Sequence, residues 1–250
     1  MTLVPARTTP CKVPPDFDQD IYGAVSALMS PFSNAPAWSS YASGFNGLPF
    51  RFAAADDAHE RLVTALSGPK ALGPSGPRYV QEEALFAFYV NTVSAVECLY
   101  FGIYNLAASV GANEFRTDTP TALRQISIGS TARTFAKAYP KDRLTAEVTR
   151  VATSRQLQAL KEFRDYLAHR GTTPRMHTVM MGPDRRVDMS EVLSATTTIN
   201  PKDLPSSWQS TLELTPSMTA KPRAWPGITV AELLRATHRF LVERQAPQAK

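Results

Sequence analysis

The positions of proline constrain this chain more than any other feature. Proline has no amide proton and its ring clashes with the preceding helical turn, so a long window without it is where an uninterrupted helix can form. Of 20 prolines, ten precede Arg78 and ten follow Thr119, with none between, and a second gap runs from Lys141 to Thr173. These windows predict two long helices, at about 78–110 and 142–170.

The first window holds the longest apolar run, including Phe86, Phe88, Tyr89, Val93, Val96, Leu99, Tyr100, Phe101, Ile103 and Tyr104, which predicts a helix buried on most sides. At about 100° per residue, Asn91, Ser94, Glu97, Cys98 and Asn105 gather on one narrow polar strip. Ser94 and Asn105 can donate back to the helix backbone. Glu97 needs a cationic or multi-donor partner, a proton, or a path to solvent. In the second window Asp142 reads as an N-cap and Gly171 as a C-cap.

Shorter elements fill the rest. Residues 1–20 carry four prolines and read as an extended arm. Ile21 to Met29 predicts one short helix ended by Pro31, and Phe32 to Phe50 reads as an irregular stretch holding Trp38, Tyr41 and Phe45. Arg51 to Leu66 is helical in pattern, and Ser67 to Pro77 is a glycine and proline loop. Thr121–Ile126 and Thr131–Ala138 suggest two small helices. Arg175–Met181 and Val187–Ile199 suggest a hairpin or ordered loops, Pro201–Pro226 is turn rich, and Val230–Arg244 predicts a last helix. The expected fold is an all-α helical bundle built on the two long helices. Its parts are an N-terminal arm with a short helix (1–50), a helical core (51–171), and a loop or hairpin insertion with a C-terminal helix packing on that core (172–250).

With 43% hydrophobic and 20% charged residues, the chain is neither disordered, collagenous nor a coiled-coil rod. Two cysteines, Cys11 and Cys98, are too few for a disulfide scaffold or a four-ligand zinc site. The N-terminal stretch lacks a signal peptide's apolar region and no run reaches about 18 apolar residues, so a cytoplasmic protein with no membrane span is expected. Net charge is +5, and Lys141 to Arg186 holds ten Lys or Arg against five Asp or Glu, which is the whole excess. Such a localised field attracts a polyanion, with RNA or DNA the obvious candidates, or else marks a solvated helix face.

On a helical wheel of the second window, Leu157, Leu160, Phe163 and Leu167 share a face, and Arg164 falls within it. An arginine cannot shed its proton, so where it is shielded from water it needs an anionic partner or a bound anion. His169 lies five residues on, roughly 140° round, where the carbonyls of a helix end favour the imidazolium. A titratable imidazole near a fixed cation suits phosphodiester chemistry: the histidine moves a proton while the arginine stabilises charge on the phosphoryl oxygens. In the bland alternative, His169 and Arg170 satisfy terminal carbonyls and Arg164 pairs with Glu97 or a neighbouring aspartate.

The stretch Phe163-Arg-Asp-Tyr-Leu-Ala-His-Arg-Gly171 resembles the signature of the HEPN superfamily of helical bundles: an arginine followed by a polar residue, with a histidine after four to six intervening residues. Arg164, Asp165 and His169 match these three positions. The segments Arg78–Phe88 and Ser94–Tyr104 are similar to the long early helix of an uncharacterised bacterial branch, and the resemblance spans about residues 51–171. It implies a metal-independent endoribonuclease, without cofactor, acting as a homodimer whose two Arg/His sets meet across a helical interface. His169 would help activate the ribose 2′-hydroxyl, Arg164 would hold the scissile phosphate, and the product would carry a 2′,3′-cyclic phosphate. Glu97 would orient Arg164, and Arg155, Lys161, Arg170 and Arg175 of the basic segment would contact RNA. Many relatives are toxins or defence nucleases, which makes an antitoxin or other regulatory protein a candidate partner.

Other HEPN proteins lack catalysis, so the alternative is a module that binds RNA or a nucleotide. A third reading is a helical interaction scaffold or small-molecule binder, with Phe86, Phe88, Tyr89, Tyr100, Phe101 and Tyr104 either lining a cavity or forming plain core. No nucleophile elbow, phosphate-binding P-loop or His-Glu-x-x-His helix occurs. His59, His177 and His238 are isolated from one another and from the cysteines, and are expected to be structural or at the surface.

Overall fold

The computed structural model describes residues 13–67, 76–169 and 216–245. It is all helical, with no strand among the described residues. The helices are α1 (Gln19–Met29), α2 (Trp38–Ser67), α3 (Gly76–Ser109), α4 (Pro120–Arg124), α5 (Ile128–Ala138), α6 (Arg143–Ala152), α7 (Arg155–His169) and α8 (Ser217–Gln245). They form two compact units, each assembled from separate stretches of chain. Unit 1 comprises residues up to Ala54, Ser94–Thr149 and residues from Gly227 on, and unit 2 comprises Ala55–Val93 and Arg150–Pro226.

Local signals in the sequence explain most of the helix ends. The Asp18 carboxylate caps α1 by accepting from the Ile21 amide at 3.2 Å, and a 3-10 turn containing Pro31 follows. Thr119 caps α4 with Pro120 as its first residue, and Ser127 and Ser130 cap α5 reciprocally. Asp142 caps α6 as expected, its Oδ1 accepting from the Leu144 amide at 2.8 Å. Gly111, at φ +93°, lies just beyond α3 in the left-handed conformation that lets the last carbonyls find donors.

Three expectations are corrected. The stretch 32–50 is irregular only as far as Ala37, because α2 begins at Trp38 and runs on through Phe50. The glycines that looked like loop residues are places of close approach: a Cβ on Gly44 would lie 2.7 Å from the Phe101 ring, and one on Gly47 would lie 3.0 Å from Cys98 Sγ. Pro49 sits inside α2, where its missing amide would orphan the Phe45 carbonyl. The Tyr22 hydroxyl donates to that carbonyl at 3.3 Å, and the two rings stack at 4.5 Å.

The second correction concerns the window 142–170, which holds two helices, α6 and α7, rather than one. Ser154 breaks it: its Oγ accepts from the Leu157 amide at 3.2 Å and so starts α7 afresh, while its own amide closes the previous turn on Val151. The third is that residues 217–226, expected to be turns, belong to α8 despite Pro222 and Pro226. The proposed hairpin over 175–199 and the Gly171 cap lie outside the described residues.

In unit 1 the core is aromatic. Phe115 meets Tyr104 at 5.0 Å and Phe135 at 4.8 Å, and Phe240 of α8 packs on Phe135 and Tyr139. The buried Tyr100 hydroxyl donates to the Val148 carbonyl of α6 at 2.7 Å. Two aspartates serve both a cap and α8: Asp18 Oδ2 accepts from Arg235 at 2.7 Å, and Asp142 Oδ2 accepts from Arg244 at 3.0 Å. The Arg244 guanidinium also lies over the Phe240 and Tyr139 rings, 3.5 and 4.4 Å from their centres, a cation–π contact that secures the C-terminal helix.

Unit 2 has its own core, in which Ala55, Ala58 and Leu62 of α2 and Ala84, Leu85, Phe88, Tyr89 and Val93 of α3 meet Leu160, Phe163 and Tyr166 of α7. Near the α2 terminus the Gln81 amide donates to the Ala65 carbonyl at 2.9 Å, satisfying one of that helix's orphan acceptors. By length and composition Tyr79–Ser109 of α3 could cross a membrane, its most apolar 18-residue window having a mean hydropathy of 1.4, yet 56% of that window is buried inside the protein. Burial against protein is how the core helix of a bundle uses such an apolar sequence.

Candidate functional site

The segment singled out by sequence lies on α7, within unit 2. Leu157, Leu160, Phe163 and Tyr166 recur every three residues and are all buried, which sets the rotation of the helix. Phe163 is the anchor: its ring meets Tyr89 edge-on at 4.5 Å and stacks on Tyr166 at 6.0 Å. Burying such a phenylalanine contributes about 1.5–3 kcal/mol.

Arg164 follows directly, so its side chain leaves the helix at the margin of this buried face, 22% exposed. Its Nε donates to Asp165 Oδ1 at 2.9 Å, and that carboxylate is 53% exposed. The neighbouring aspartate expected as one partner of Arg164 is therefore in place. His169 is the last residue of α7, five positions on, so its backbone lies about 7.5 Å further along the axis and about 140° round.

Arg155, the first residue of α7, is exposed, but nine residues before Arg164 it lies half a turn round the helix and about 13.5 Å away along it. Lys161 is half-buried and about 60° from Arg164, closer to its side of the helix. Glu97 is half-buried on α3, belongs to unit 1 and engages a neighbour. Arg170, Arg175 and His177 lie outside the described residues.

The other readings of the sequence are also located. Phe88 and Tyr89 of unit 2 and Tyr100 and Tyr104 of unit 1 are buried in contact with protein neighbours, while Phe86 is 42% exposed. Of the polar strip on α3, Asn91 and Asn105 donate to carbonyls four residues back, at 2.8 and 2.9 Å. Among the described residues no group of three His, Cys, Asp or Glu is arranged to hold a metal ion.

His59 has a definite structural place that its isolation in sequence concealed. Its Nδ1 is 2.8 Å from the buried Thr219 hydroxyl of α8, beside an ion pair between Asp56 and Arg223. Burial, helped by the Arg223 charge, pushes the imidazole pKa down and favours its neutral form. The spacing of Asp56 and His59 on one helical face was readable, but their partners are about 160 residues away in sequence.

Sequence reasoning also missed the cations of α5. Arg133 and Lys137 are exposed on one side of that helix, and Lys141 and Arg143 are exposed where the chain enters α6. Set against family models, curated proteins and solved structures, the chain matches none of them.

Proposed function

We propose that the protein is a metal-independent endoribonuclease of HEPN type, a cytoplasmic homodimer in which Arg164 and His169 act on the scissile phosphodiester. The observation that carries this reading is the arrangement on α7. A partly shielded guanidinium is held by the adjacent Asp165 carboxylate, with a histidine ending the same helix.

In the reaction His169 takes the proton of the ribose 2′-hydroxyl, and the 2′ oxygen attacks phosphorus. The bond from phosphorus to the 5′ oxygen breaks, leaving a 2′,3′-cyclic phosphate, and the departing 5′ oxygen gains a proton. Arg164 stabilises the charge that gathers on the non-bridging oxygens, and Asp165 keeps its guanidinium in position. A restraining antitoxin and a role in defence belong to the same reading.

The test is RNA cleavage by purified protein in EDTA. His169→Ala is expected to lower the rate by about 10²–10⁴-fold, the usual contribution of a general base, while the helical circular dichroism and melting temperature stay unchanged. Full activity in that variant would sink the assignment.

A further inference from the structure

Arg133 and Lys137 stand one turn apart on α5, about 6 Å along its axis, and both are exposed. The opposite side of α5, with Ile128, Ala132 and Phe135, is buried, so the outward face is fixed by packing. Lys141, in the connection after α5, and Arg143, the first residue of α6, are also exposed.

Between Thr119 and Ala146 the chain has five Lys or Arg and a single carboxylate, Asp142. That carboxylate is already engaged, with one oxygen capping α6, the other held by Arg244, and the side chain only 11% exposed. Elsewhere in unit 1, Asp18 is paired with Arg235 and Asp118 with Arg116, while Glu97, Glu147 and Glu232 have neighbours of their own. Of the other carboxylates of unit 1, Asp16 is exposed and also has a neighbour of its own, and Asp20, Glu114 and Glu243 are exposed. Among the described residues, Arg133, Lys137, Lys141 and Arg143 make no ion pair.

We infer that this α5–α6 corner is a binding surface for the sugar–phosphate backbone of a nucleic acid, made of residues other than those of α7. Exposed cations grouped without carboxylate partners neutralise backbone phosphates, and the release of condensed counterions drives the association. A membrane surface fits less well, because peripheral helices insert apolar side chains. Among the described residues, the exposed large apolar side chains, Phe50, Tyr79, Phe86, Ile228 and Val242, all lie outside 119–146. Preference for RNA over DNA rests on the ribonuclease reading, whereas the phosphate contact itself does not.

The experiment uses the full chain and a fluorescent 2′-O-methyl oligoribonucleotide, which lacks the attacking hydroxyl and so reports binding alone. Four phosphate contacts on a single strand predict a slope of log affinity against log salt of about −3, or about 50-fold weaker binding between about 50 and 200 mM salt. The combined variant Arg133→Ala, Lys137→Ala, Lys141→Ala, Arg143→Ala should lose that slope and the affinity it brings. Lys137→Ala alone should reduce the slope by about 0.7, which covers the case that the combined variant folds poorly.

Wild-type slope and affinity in both variants would overturn the inference. So would a wild-type chain that ignores oligonucleotides but binds phosphatidylserine vesicles or an acidic peptide. A chain that binds through these four residues without cutting any RNA keeps this inference and removes the ribonuclease reading. Cutting abolished by His169→Ala, with binding untouched by the four substitutions, does the reverse.

Discussion

Two windows of the chain lack proline, and they fold differently. The first forms α3 as a single helix of 34 residues, while the second is divided at Thr153 and Ser154 into α6 and α7, of 10 and 15 residues. Absence of proline only permits a helix. In α3 the apolar residues run round most of the circumference, and from Ala84 to Ala107 packing holds each turn, as the burial of Leu85, Tyr89, Val93, Val96, Leu99 and Ile103 shows. In the second window each helix buries one stripe only, so a serine able to cap a new helix outweighs the small cost of ending the old one. The break gives α7 its own helix start, from which the rotation that sets Arg164 at the edge of the buried face is taken.

Proline itself is the sharpest probe of this difference. Ala95→Pro, at a fully buried position in α3, should cost more than about 3 kcal/mol and leave little folded protein, measured by urea unfolding. A variant that kept near-native stability would show that α3 is not held as one continuous rod. Gly44→Ala comes next, at about 1–3 kcal/mol, because its methyl would press on the Phe101 ring and on the backbone of Gly102 and Cys98. If its urea midpoint matched wild type, the close approach of α2 to α3 would be looser than described.

Ser154→Ala removes the cap and should cost about 1 kcal/mol, with increased amide exchange in the first turn of α7 as its local signature. Unchanged exchange there would mean that the break has another cause. Arg155→Pro completes the contrast with the smallest effect, a change in melting free energy within about 0.5 kcal/mol. It is the first residue of α7, where an amide has no helical acceptor and proline is well tolerated. A loss as large as that of Ala95→Pro would mean that the second window behaves as one helix after all.

The parts of the fold that were legible in sequence are those governed by local chemistry. Asp142 was readable as a cap because a carboxylate two residues before a leucine amide needs nothing distant to bond it. The buried character of α3 followed from its run of apolar residues. The start of α2 was hidden because Gly44, Gly47 and Pro49 are breakers by local preference. Their roles appear only when Phe101, Cys98 and the Tyr22 hydroxyl arrive from other helices. In the candidate site, Arg164 and Asp165 were adjacent and easily paired. Lys141 and Arg143 were already part of the basic segment read from the sequence, whereas Arg133 and Lys137 escaped because neutral residues surround them, and the commitment of Asp142 to Arg244 depends on a helix about 100 residues away.

By itself the sequence determined that the chain is helical, where α1, α3, α4 and α5 lie, and that a cation and a histidine share the helix ending at 169. Those properties rest on propensity, periodicity and caps, which act over a few residues. Only the tertiary structure decided that glycines would serve contact rather than turns, that one proline-free window would break, and which charges would be neutralised. Each of these is settled by the free energy of groups brought together from distant positions, and no short-range pattern encodes which partner will be there.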